Sequence, residues 1–159
     1  MASCDARNAD DILIAQFEDA SLPLENFHHC VHVQIVFLYL SKLSLLEVLA
    51  RFPTALRRYA EAHGKHGLYN ETISWAYILL INERVRRTNR KLSWDEFRSQ
   101  NPDLLTWKDS VLQKYYRAET LSSELAKGTF LFPDKIFAEH DSAANRRQLP
   151  TAAPRRHSP

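Results

Sequence analysis

Apolar residues recur at helical spacing along almost the whole chain, and nowhere do they alternate as in a half-buried strand. A short amphipathic segment, Asp10 to Asp19, carries Ile12, Leu13, Ile14 and Phe17 on and around one face. Ser21-Leu22-Pro23-Leu24 then turns the chain. From Glu25 to Lys42 the pattern predicts a long helix, with Phe27, Val31, Ile35 and Leu38 on one stripe and Val33, Val36, Phe37 and Leu40 on another. Apolar positions surround most of it, which marks a central, buried helix. Ser44-Leu45-Leu46-Glu47 is a capping box opening the next helix. Pro53 lacks a backbone donor and crowds the preceding turn, so a kink or break is expected there. The continuation, Ala55 to His63, ends at Gly64, a residue suited to a helix stop.

A second long helix is predicted from Asn70 to Arg87, with Ile73, Tyr77, Leu80 and Ile81 as its apolar stripe. Arg84, Arg86 and Arg87 fall in its last turn, where cations favour the helix dipole. Ser93-Trp94-Asp95-Glu96 is a second capping box, and Asn101-Pro102 supplies an N-cap and a first-turn proline for a short helix. Trp107 to Tyr116 and Glu119 to Lys127 read as two further helices, the last stopped by Gly128. Thr129 to Pro133 reads as an extended segment laid against the bundle. The expected architecture is all-α: a single-domain helical bundle around two long core helices, residues 1–136. Residues 137–159 turn to Ala, Arg, Pro, Ser and His. Such a stretch buries too little apolar surface to offset the entropy of ordering, so a disordered basic tail is expected.

Composition narrows the function classes. A length of 159 residues favours one domain. Three glycines, with neither a G-x-G-x-x-G nor a P-loop motif, argue against glycine-rich phosphate binding. Cys4 and Cys30 form no C-x-x-C, which favours a reducing, cytoplasmic compartment. The formal charge is +2, but residues 135–159 hold five Lys or Arg against two acids, leaving residues 1–134 at −1. A near-neutral body argues against nucleic-acid binding. The run from Val33 to Leu40 is too short to cross a membrane, and Met1 to Asp11 lacks the layout of a secretory signal.

Candidate chemistry concentrates in Glu25-Asn26-Phe27-His28-His29-Cys30-Val31-His32. Within a helix, His28 and His32 are one turn apart and project from one face, the spacing that lets two imidazoles bind one metal ion. Glu25, three residues before His28, is placed as a further ligand or as the carboxylate that orients the ring. Glu71, at the start of the second long helix, is the candidate third ligand and catalytic carboxylate. The set of His28, His32 and Glu71 suits iron, zinc, manganese or copper. Tyr39, Tyr69, Asn70 and Trp75 are the candidate pocket walls. Each of these residues also has a purely structural reading: buried histidines bond backbone carbonyls, and an acid in a first turn favours the dipole.

Phe27-x-His28-x-x-x-His32, Tyr69-Asn70-Glu71-Thr72, Trp107-Lys108-Asp109-Ser110 and Phe132-Pro133-Asp134 together resemble a family of small bacterial helical proteins, over about residues 17–134. That family has no settled activity, so the resemblance implies a site pattern and little chemistry. Its members often carry His where Asn70 stands, and Asn70 is a weaker oxygen donor.

Two functions follow from these residues. One is a metal-dependent enzyme that acts on a small-molecule substrate through His28, His32 and Glu71, with Glu25 assisting. The other is a metal-free helical module that binds a ligand or a protein, using basic residues such as Arg57, Arg58 and Arg84. A narrow bundle with abundant aromatics is also compatible with a homodimer.

Overall fold

The computed structural model describes residues 2–88 and 91–135, with side chains from Asn8 onward. Its helices are α1 (Ala2–Glu18), α2 (His29–Lys42), α3 (Leu45–Ala62), α4 (Glu71–Arg87), α5 (Trp94–Gln100), α6 (Ala118–Ser122) and α7 (Glu124–Gly128). Three 3-10 turns, Leu24–Asn26, Pro102–Leu104 and Val111–Lys114, join them. There is no strand among the described residues, so the all-α expectation holds. The predicted tail, 137–159, lies outside them.

Helix α2 is the centre of the molecule. Val33 and the unbroken run from Ile35 to Leu40 are buried, as expected for a helix covered on all sides. It packs against α1, α3, α4 and α5, and α4 is its main neighbour. The Ile78 and Ile81 face of α4 is buried against it. Phe17 of α1, Phe52 and Tyr59 of α3, and Phe27 stack around one another and close one end of the core.

The capping boxes of α3 and α5 both form. Ser44 and Ser93 accept from the backbone N–H of Glu47 and Glu96, whose carboxylates accept in return. Helix α3 runs through Pro53 as one element rather than breaking there. Pro53 is itself buried, off the stripe of Val48, Phe52, Ala55 and Tyr59, so packing holds the turn that a proline alone would disrupt. The helix ends as expected. Gly64 has φ +66° and donates to Glu61, while Lys65 donates to Ala60, the paired bonds of a Schellman stop.

Elsewhere the predicted bounds change. Helix α1 starts at Ala2, ahead of Asp10. Asn101 does not cap the turn that follows it. Its side chain is used between Phe97 and Arg84, accepting from the guanidinium and donating to the carbonyl. The helix expected over Trp107–Tyr116 shrinks to Val111–Lys114, preceded by a turn. The helix expected over Glu119–Lys127 splits at Ser123, which caps α7. The segment after α7 is laid on α4 as predicted: Thr72 donates to the carbonyl of Thr129 and accepts from the N–H of Leu131.

Candidate functional site

Pro23 and the 3-10 turn behind it delay the start of α2. The backbone at Phe27 and His28 is non-helical (ψ 70° and 166°), so the helix begins at His29 and not at Glu25. His28 is therefore the N-cap residue. Its carbonyl accepts the first α-helical bond, from the N–H of His32 at 3.1 Å, while its side chain is exposed. The shared face expected of His28 and His32 does not exist, because only His32 stands on the helix. Glu25 is exposed in the 3-10 turn.

Glu71 is the first residue of α4, where the dipole favours an acid. Its carboxylate accepts from the Arg57 guanidinium at 2.5 Å and from the Tyr69 hydroxyl at 2.7 Å. Arg57 also lies 4.1 Å from the centre of the Tyr69 ring. Both contacts fall on one carboxylate oxygen, Oε2. Among the described residues, no group of three or more His, Cys, Asp or Glu side chains is arranged to hold a metal ion.

What the fold builds instead is a cavity of about 290 Å³ between α2, α3, α4 and the loop before α4. Phe27, Tyr59, Tyr69 and Trp107 supply aromatic walls, and Leu56, Ala60 and Ile73 supply aliphatic ones. Leu24, Leu68 and Trp107 also line it while remaining 39%, 73% and 59% exposed, so they form an apolar rim. A smaller cavity of about 50 Å³ shares His32, Leu56, Ile73, Ser74 and Trp107 with the first. It reaches toward Val33, Val36, Phe52 and Ile81 at the core.

Polar groups in this space are few. The hydroxyl of Tyr59 donates to the carbonyl of Leu22, and that of Tyr69 to Glu71 with Ser74 beside it. Asn70 accepts from Ile73 and donates to Leu121. His32 is different. Its ring lies 3.9 Å from that of Phe27, centre to centre, and no protein group among the described residues hydrogen-bonds its nitrogens. Burial, with a smaller push from His29, lowers its pKa to about 3, so the imidazole is neutral at pH 7. A neutral ring presents one N–H donor and one acceptor.

His29 fixes one wall. Its Nε2 lies 2.9 Å from the carbonyl of Leu104, and its ring packs against Tyr77 and Trp107. As donor to that carbonyl, His29 ties the loop bearing Trp107 to the start of α2. His63, at the end of α3, instead bonds within its own helix, against the ring and carbonyl of Tyr59.

Of the predicted pocket residues, Tyr69 and Asn70 line the cavity and two do not. Tyr39 is buried elsewhere, donating to Glu18 at 2.5 Å beside Arg51. Trp75 stacks on Phe130 at 5.8 Å, and its buried Nε1 has no hydrogen-bond partner. Sequence reasoning missed Phe27, Leu56, Tyr59 and Lys65 as cavity walls. Periodicity marks an apolar residue as inward-facing without saying whether its neighbours close over it.

The chain matches no protein-family model, and comparisons with curated proteins and with solved structures return no match.

Proposed function

We propose that the chain is a metal-free binder of a small, largely apolar molecule, held in the cavity between α2, α3 and α4. The observation that carries this reading is His32, a neutral imidazole without a hydrogen-bond partner among the described residues that lines a largely apolar cavity. His32 is partly exposed at the cavity wall, and a few polar groups set in apolar walls are the usual make-up of a ligand site. Size agrees. A protein cavity of roughly 150 Å³ accepts benzene, so one about twice as large suits a bicyclic aromatic.

The metal-dependent alternative uses His28, His32 and Glu71. It is favoured by the neutral state of His32, since a metal needs a deprotonated ring. Against it, Glu71 is already paired with Arg57 and bonded to Tyr69 through Oε2, and His28 and His32 do not share a helix face.

Titration with indole, followed by tryptophan fluorescence and calorimetry, separates the two. One molecule is expected to bind per chain, and Ala60→Phe, which fills the cavity from α3, is expected to weaken binding more than about tenfold, or about 1.4 kcal/mol. Elemental analysis of the purified protein is expected to find no stoichiometric iron, zinc, manganese or copper. A stoichiometric metal lost in His32→Ala, with no indole binding, overturns the proposal in favour of the metal site.

A further inference from the structure

Resting on the reading of the cavity as a ligand site, the charge and donor pattern of its lining point to one ligand class: we infer that it takes an aromatic carboxylate, ring inside and carboxylate at Lys65. Lys65 is the single charged residue that lines the cavity. It sits where the Schellman stop of α3 turns the chain back over the mouth, next to the Leu68 rim. Its ammonium has no ion-pair partner among the described residues, unlike Arg57, which Glu71 neutralises.

The donors are in excess. Tyr59, Tyr69 and Asn70 bond the protein and Ser74 bonds Tyr69, which leaves the Lys65 ammonium, the His32 N–H and the Trp107 indole N–H as donors, and one His32 nitrogen as acceptor. A ligand with two acceptor oxygens and a negative charge answers that pattern. An amine or a hydrocarbon does not. Two acids act on the wall from outside the lining: Glu71, which accepts from Tyr69 and is paired with Arg57, and the exposed Glu25, whose charge adds to the burial that raises the pKa of Tyr59. The walls then set the body. Phe27, Tyr59, Tyr69 and Trp107 offer ring faces and edges, and aromatic pairs prefer offset or edge-on contact at such distances.

The test uses the full chain and three probes with the same phenyl body: 3-phenylpropanoate, its primary amide and 3-phenylpropylamine, each titrated by calorimetry at low salt. The acid is expected to bind about five- to tenfold more tightly than the amide, the size of one charge-assisted hydrogen bond at a partly exposed site, and the amine most weakly. In Lys65→Ala, a surface change with no core contact to lose, the acid is expected to fall to the affinity of the amide while the amide is unchanged. If acid and amide bind equally in the native chain, or if Lys65→Ala weakens both alike, the carboxylate assignment is wrong while the cavity stands as a site. If none of the three binds, and indole does not bind either, the ligand-site reading itself fails.

Discussion

At His32, burial removes water from the imidazolium and leaves the neutral ring almost undisturbed, so the folded chain resists protonating it. The sign follows directly. The folded pKa, about 3, lies below the unfolded value near 6.5, so stability is full above pH 6.5 and is lost as pH falls toward 3. The slope approaches about 1.4 kcal/mol per pH unit for one such group. His29, also lowered by burial, adds to it. Carboxylates held down by their partners, Glu18 beside Arg51 among them, lose their contribution only below about pH 4.5. Urea unfolding between pH 6.5 and 4.5 is therefore expected to show falling stability, and His32→Gln a shallower slope. An unchanged slope in the variant contradicts the burial argument. His29→Ala removes a hydrogen bond and the packing of Trp107, and is expected to cost about 1–3 kcal/mol by the same measurement. The sequence singled out His28 and His32 as a pair but not their separate positions, because the helix starts at His29 and not at Glu25, which leaves His28 off it.

Helix ends were readable wherever the side chains alone determine them. The two Ser-x-x-Glu boxes, the Asn70 cap and the Gly64 stop all form, since each needs only local backbone geometry. The start of α2 was not readable in that way. Pro23, the 3-10 turn and the inward swing of Phe27 onto Tyr59 and Phe17 displace it by a turn, and that swing depends on residues from other helices. The stretch over Trp107–Tyr116 fails for a similar reason. Ser110 bonds the N–H of Leu112 and meets Tyr77, which fixes a tighter turn than the apolar spacing implies. Asn70 carries a testable consequence at this scale. It caps α4 at Ile73 and ties the helix to Leu121, so Asn70→Ala is expected to cost about 1–3 kcal/mol in denaturant unfolding. Asn70→Ser, which keeps the cap and loses the tie, is expected to recover roughly half of that. Asn70→His is expected to behave like Ala, because imidazole is a poor cap. A stable His variant contradicts the structural assignment of this position.

Across the whole molecule, the all-helical bundle and its two long core helices follow from periodicity, and no helix among the described residues is long and apolar enough to cross a membrane. The cavity does not follow from it. Its walls come from residues as distant in sequence as Leu24 and Trp107, and a void exists only where their packing leaves one. The proposal that the void is a site rests on His32, a polar ring at its wall without a hydrogen-bond partner among the described residues. Histidine-selective nitrogen-15 NMR reads this ring directly. The account predicts that His32 stays neutral from pH 7.5 to 5.0 and that one of its ring nitrogens shifts saturably as 3-phenylpropanoate or indole is added. A His32 that titrates near pH 6.5, or whose nitrogens do not respond to either ligand, contradicts it.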